Sequence, residues 1–246
     1  MKERAKADKK GKSGLKSSSQ KIKAKLLKSY YGNPAKDMKV IAITGTTGKV
    51  VVAHYVHEIL RAMGEQVAVL ASEQPFKMST LHKFMSDAWK AGANYVVVTL
   101  PAESLRDNIF YGLPVTVAAM TNFAKAGLHD MEPGEYLESG KTLFAMDPEI
   151  VVLNSDDTNY NTFVEFKGSK DTITFGQSGA DIKILNSKLY PKGTEATLSI
   201  KSDIITVASF ITGETAVSYM ACAAAIAKGL GVKNTDIVDG IANYEP

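Results

Sequence analysis

The chain has almost none of the residues that cross-link or anchor a fold. Among 246 residues there is one cysteine, Cys222, and one tryptophan, Trp89. A single thiol closes no internal disulfide, and the reading is a protein of a reducing, cytoplasmic compartment. In its Ala-rich surroundings Cys222 reads as a small core filler. No stretch of about 18 apolar residues occurs, so nothing reads as a membrane span. The first residues contain no apolar core of a secretory signal. Histidines number four. His54 and His57 share a helical face with no evident third metal ligand, and His82 reads as a solvated helix residue.

Charge is present but unevenly placed. Residues 1–28 hold 11 Lys/Arg against 2 Asp/Glu, whereas the remainder holds 18 against 24. The overall excess of +3 therefore belongs to an N-terminal tail rather than to a folded face. A Lys- and Ser-rich tail with few large apolar side chains buries too little surface to offset its ordering entropy. Residues 1–28 are expected to be disordered, ahead of a domain over residues 29–246. Such a tail serves solubility, or loose attraction to anionic lipid or nucleic acid. It has no aromatic residue, so it offers no platform for base stacking.

Beyond the tail, apolar runs and helical periodicities alternate. Residues 39–44 read as a strand buried on both faces, and 66–71, 94–100, 115–120 and 149–153 as further strands. Helical patterns fall between them, over 49–63, from a Ser79 cap to 91, near 103–110, over 134–146 and over 158–166. This alternation predicts an α/β fold, a mostly parallel sheet flanked by helices. After Asp171 the pattern changes to three short strands near 183–189, 195–200 and 204–209, a small antiparallel appendage. A long Ala-rich helix (215–230) and a final helix ending near Tyr244 complete the reading.

The stretch that carries chemistry is Ile41-Ala-Ile-Thr-Gly-Thr-Thr-Gly-Lys-Val50. Gly45 and Gly48 allow a tight turn and close backbone approach to an anion. The amides of Thr46 and Thr47, the following helix N-terminus and the Lys49 ammonium supply positive potential. This is the form of a phosphate-binding loop, although a tight strand-to-helix turn alone accounts for two glycines.

The residues Ala42-Ile-Thr-Gly-Thr-Thr-Gly-Lys49 resemble the ATP loop of the Mur ligases, the enzymes that join amino acids to the UDP-linked muramic acid precursor of peptidoglycan. Folylpolyglutamate synthase shares their fold. Further along, Met120-Thr-Asn122, Leu128 and Gly134-Glu-Tyr-Leu-Glu-Ser-Gly-Lys-Thr-Leu-Phe144 are similar to the family's "TN…DHLD…Y…AK…LF" stretch. Val151-Val-Leu-Asn-Ser-Asp-Asp157 is similar to its strand end, and residues 216–232 to its Ala-rich helix. The resemblance spans residues 30–246 and implies a central ATP-binding domain of P-loop type. It implies ATP with Mg²⁺ as ligands, Asn122 beside the nucleotide, and Lys141 at the position that is carbamylated in these ligases. As partners it implies a UDP-muramoyl-peptide and a chain supplying the other ligase domains.

Departures from the family pattern fall on the metal chemistry. Val50 stands where the family has a Mg²⁺-binding hydroxyl. Thr99 stands where it has a metal-binding glutamate, and Gly127 where it has a histidine. Ala216 and Tyr219 replace two asparagines. Glu103 and His129 are the nearest displaced candidates for a metal. Asp156 and Asp157 read either as that strand-end motif or as caps of the next helix. A hard cation needs oxygen ligands, and phosphoryl transfer needs its charge neutralised. The expectation is a nucleotide-binding domain of the ligase lineage with degenerate catalysis. The alternatives are an active amide ligase or a part of one, and a membrane- or RNA-associated protein working through its basic tail.

Overall fold

A computed structural model describes residues 19–123 and 131–246. Among the described residues nine strands form one sheet in the order β2-β3-β1-β4-β5-β6-β7-β8-β9. Strands β1 (Lys39–Thr44), β2 (Val67–Leu70), β3 (Tyr95–Thr99), β4 (Val117–Met120), β5 (Ile150–Asn154) and β6 (Asp171–Gly176) run parallel. The hairpins of β7 (Ile182–Tyr190), β8 (Gly193–Ile200) and β9 (Asp203–Ser209) are antiparallel. They are the expected antiparallel appendage: β7 joins β6 in parallel through Phe175↔Ile182 and Gly176↔Lys183, so the sheet is continuous. The strand β6 is absent from the sequence reading. Its alternation Asp-Thr-Ile-Thr-Phe-Gly has only two large apolar residues, too few to register as a buried run.

Alternate residues of the central strands feed two cores. Ile41, Ile43, Val97, Val117 and Val152 face α2 (Lys49–Ala62), α7 (Glu214–Gly229) and α8 (Asn234–Asn243). Val40, Ala42, Val96, Val98, Ala118 and Val151 face α3 (Met78–Lys90), α4 (Ala102–Arg106), α5 (Pro133–Phe144) and α6 (Tyr160–Phe163). Both faces being covered is why these strands read as unbroken apolar runs. Ala221 to Ala227 of α7 are all essentially inaccessible, Cys222 among them. Burial pushes the Cys222 thiol up, so it stays protonated and unreactive.

Three local readings change. Helix α3 starts two residues earlier than a Ser79 cap requires, with Lys77 at the cap and no side-chain cap bond. Helix α6 is one turn, shorter than the pattern over 158–166 implied. The basic tail is not wholly unstructured, because residues 19–31 form helix α1. Ala24 is buried, and Leu27 packs on the second core. Gln20 Nε2 donates to Asp107 O at 3.0 Å, and Lys28 Nζ to Gly112 O. Lys21 lies 5.8 Å from the Tyr111 ring centroid. Residues 1–18 lie outside the described residues.

His82 is also corrected. It is 1% exposed, stacks on Tyr31 of α1 at 6.5 Å, and its Nε2 has no hydrogen-bond partner. Burial, with the Lys28 charge second, lowers its pKa from 6.5 to about 4. A depressed histidine pKa means that the unfolded chain takes up a proton first. Stability is therefore lost as pH falls from about 6.5 to about 4, by up to about 3 kcal/mol. Urea titrations at pH 7.5, 5.5 and 4 are expected to show this loss in the wild type and a shallower one in His82→Leu.

Candidate functional site

The chain leaves β1, crosses to β2 outside β3, and later returns to place β4 on the other side of β1. The sheet order thus switches at β1, and open α/β sheets bind ligands beyond the carboxyl ends of their strands at such a switch point. The segment at that point is Gly45–Lys49. Gly45 and Gly48 have φ of +136° and +77°, and Gly48 is the N-cap of α2. The ring of Tyr219 from α7 lies on Gly48, where a Cβ would come within 2.1 Å of Tyr219 Cε1. Position 48 therefore needs glycine for its backbone angle and for this close approach.

The turn is held from β4's end. Thr46 N donates to Asn122 O at 3.0 Å. Asn122 Oδ1 accepts from Thr46 Oγ1 at 2.7 Å, Thr47 N at 3.2 Å and Thr47 Oγ1 at 3.1 Å. Its Nδ2 donates back to Thr47 O at 3.1 Å, and Thr121 Oγ1 donates to the same oxygen at 2.7 Å. Tyr219 OH donates to Thr47 Oγ1 at 3.3 Å. Asn122 is thus at the loop, and both ends of its amide are spent on shaping the turn.

Lys49 opens α2, where the first amides of the helix have no intrahelical acceptor. Its side chain is only 4% exposed. Nζ lies 2.9 Å from Glu73 Oε2 and 3.4 Å from Thr46 O. Glu73, half exposed, comes from the segment after β2, which also ends at the switch point. The loop's cation is therefore already neutralised by a carboxylate of the same chain.

Behind this pair lies Tyr136 of α5, 4% exposed, its hydroxyl left without a full hydrogen bond beside the Thr44 hydroxyl. Burial first, then the charges of Glu103, Glu73 and Asp157, drive its pKa upward. Glu103, in the first turn of α4, thus belongs to the same neighbourhood as Glu73. Asp157 accepts from Phe123 N and from Asn159 N, and Asp156 Oδ2 accepts from Gln177 N at 2.7 Å. Neither carboxylate caps α6, whose N-cap Asn159 has no side-chain cap bond.

Lys141 has partners of its own. Lys141 sits five residues along α5 from Tyr136, on a different side of that helix. It pairs with Glu138 at 2.8 Å, a hydrogen bond that raises its pKa, and it feels Glu165 beyond α6. His129 and Gly127 lie outside the described residues. His54 stacks on Tyr244 at 5.2 Å, and His57 Nδ1 meets Glu58 at 2.9 Å.

Among the described residues the donor set at the turn does not suit a resident Mg²⁺. Val50 offers no oxygen. The Thr99 hydroxyl is inaccessible, accepting from Ser72 N at 2.7 Å and donating to Ser72 O at 2.9 Å. Among the described residues no group of three His, Cys, Asp or Glu is arranged to hold a metal. The anion-binding half of the site fits phosphate: two glycines, a helix N-terminus and a buried lysine.

The Mur ligase middle domain matches residues 43–227, more than half of the chain. The chain belongs to the Mur ligase family. It is 28% identical over 241 residues to the UDP-N-acetylmuramoyl-L-alanyl-D-glutamate–2,6-diaminopimelate ligase of Bacillus licheniformis, covering 89% of this chain and 49% of the relative. A structure of a ligase of that name superposes with a TM-score of 0.78 at 19% identity, over 85% of this chain and 46% of that one. MurF from Thermotoga maritima in complex with ADP gives 0.73 at 19% identity, over 93% and 53%. A folylpolyglutamate synthase–AMPPCP complex gives 0.69 at 14% identity, over 91% and 68%. This Mur ligase domain spans about half the length of the curated relatives it matches. The expected α/β class, with its mostly parallel sheet and antiparallel part, stands as read.

Sequence reasoning missed Glu73, and it gave Tyr136 and Tyr219 no role in the site. Glu73 lies in a loop with no motif. The rule that loops at strand carboxyl ends line the switch point was the one signal that pointed to it.

Proposed function

We propose that this Mur ligase domain binds the phosphates of ATP or ADP at Gly45–Lys49 and has lost most of the metal-dependent step that activates a carboxylate. The observation that carries this reading is the contrast between the two halves of the site. The anion half keeps its glycines, its helix N-terminus and Lys49. The metal half has Val50 without an oxygen and Thr99 closed onto Ser72. Neighbours of the same fold solved with ADP and AMPPCP support the choice of ligand.

When bound, the nucleotide would supply a phosphoryl group; this chain's residues would hold it. Lys49 would exchange Glu73 for phosphate oxygens, and the Asn122–Thr121 clamp would keep the turn shaped while this happens. Acceptor chemistry of the UDP-muramoyl-peptide kind belongs to the lineage, and it would require groups beyond this middle domain.

Calorimetric titration of the protein with ADP and with ATP, with and without Mg²⁺, tests the reading. Binding is expected in both conditions, with Mg²⁺ changing affinity less than about threefold. No steady turnover is expected, and Val50→Thr alone should not create it, because one hydroxyl leaves the cation short of ligands. Mg²⁺-dependent ATP hydrolysis by the wild type, abolished in Lys49→Ala, would overturn it. One arrangement favours that second reading, a working ligase or part of one: Glu73, Glu103 and Asp157 all act on Tyr136. In that case Glu103→Gln would abolish the metal dependence.

A further inference from the structure

Helix α1 has two apolar stripes, of which one is used. With 3.6 residues per turn, Gln20, Ala24, Leu27 and Tyr31 share one face. That face meets the protein: Ala24 is 2% exposed, Leu27 packs on the core, Gln20 bonds Asp107 O, and Tyr31 stacks on His82. Ile22, Leu26 and Tyr30, spaced four apart, share the opposite face. They are 63%, 66% and 81% exposed. Surface helices do not usually offer solvent three large apolar side chains in a row.

The flanks of this stripe are basic. By helical spacing Lys23 lies on one side of it, and Lys25 and Lys21 on the other. Lys28 follows at the border with the protein, close enough to Lys36 for the two charges to repel. The 18 residues ahead of α1 add 7 Lys/Arg against 2 Asp/Glu.

We propose that α1 is a surface anchor for an anionic lipid bilayer. Ile22, Leu26 and Tyr30 enter the boundary between headgroups and acyl chains, while the flanking Lys21, Lys23 and Lys25 meet the lipid phosphates. A basic amphipathic helix with a narrow apolar stripe has this chemistry. The charge complementarity selects an anionic membrane over a neutral one. The apolar stripe selects a membrane over RNA, since a phosphate backbone gains nothing from Ile22 or Leu26, and Tyr30 alone is a poor stacking platform. The apolar contact on the other face fixes α1 to α3 and to the α4–β4 segment, so docking would hold the whole sheet at the membrane.

The test is flotation of the full chain with vesicles of phosphatidylcholine, with and without about 30% phosphatidylglycerol, at low and high salt. Binding is expected to the anionic vesicles alone and to fall at least tenfold at high salt. Ile22→Ser/Leu26→Ser/Tyr30→Ser, which keeps every charge, should lose at least tenfold in vesicle binding. Lys21→Gln/Lys23→Gln/Lys25→Gln should lose a similar amount. Both variants alter outward-facing positions, and an unchanged unfolding midpoint would show that the fold is retained. Equal binding to neutral vesicles would overturn the proposal. So would undiminished binding by the serine variant, or binding to a polyuridine RNA that depends on the lysines and not on the apolar stripe.

Discussion

Lys49→Met is expected to weaken ADP binding by at least about a hundredfold. The ammonium is the cation that the turn offers a phosphate, and hydrogen bonds to charged partners contribute about 1.5–3 kcal/mol each. Losing one such contact, or two weaker ones, costs about 3 kcal/mol, which is two decades of affinity. Methionine keeps most of the buried stem and its packing, so the loss reports charge rather than collapse. A second effect adds to it: Glu73, 2.9 Å from Nζ in the wild type, is left unpaired and faces the incoming phosphate. Glu73→Gln should therefore act in the opposite direction and tighten ADP several-fold, because phosphate no longer competes with a resident carboxylate for Lys49. In Lys49→Met/Glu73→Gln part of the loss should return, and the cycle gives the coupling between the two side chains. Unchanged ADP affinity in Lys49→Met would show that nucleotide does not sit on this turn. Weakening by Glu73→Gln comparable to that by Lys49→Met would show that the pair is part of the binding surface rather than a competitor for it.

What was legible in the sequence depended on how far apart the determining residues lie. The strands at 39–44 and 94–100 could be read locally, because burial on both faces leaves an apolar run with no alternation to interpret. The turn Gly45–Lys49 was equally local, its geometry set by two glycines and the helix that follows. Residues whose role depends on distant partners were not legible. His82 looks like any polar helix residue until α1, at residues 19–31, stacks Tyr31 on it. Helix α1 was assigned to the tail by composition, because lysines outnumber the few apolar positions that dock it. Glu73 sits in a loop 24 positions from Lys49 with no motif around it. Only the crossover that puts β3 between β1 and β2 brings the β2 loop to the lysine. Resemblance supplied Asn122 and Lys141 as one set; Asn122 bonds the turn, and Lys141 pairs with Glu138 one turn back along α5. A helix carries residues five apart to different sides, and no motif spacing shows which side faces the site.

Gly240→Ala is expected to be among the most damaging single-methyl changes in the domain. Helix α8 crosses α2 with Gly240 against Ile59, and a Cβ at 240 would stand 2.3 Å from Ile59 Cα and 2.4 Å from Ile59 N. Those are backbone atoms in the middle of a helix, so no side-chain rotation can relieve the clash. The two helices must separate, which opens the apolar seam around Ile237 and Ile241. Overpacking of this kind costs about 3 kcal/mol, equivalent to about 10 °C in melting temperature for a chain of this size. The control is Gly134→Ala in α5, also a helical glycine, whose added methyl meets nothing within 4 Å. There alanine should be neutral or stabilise by a few tenths of a kcal/mol, as helix propensity directs. The same substitution in two helices thus separates propensity from packing, and a similar effect at both positions would refute the close approach of α8 to α2. Because Lys49 is the first residue of α2, a displaced α2 also moves the turn it carries. Any Gly240→Ala protein that stays folded should bind ADP more weakly than wild type, although residue 240 is remote from the phosphate-binding turn.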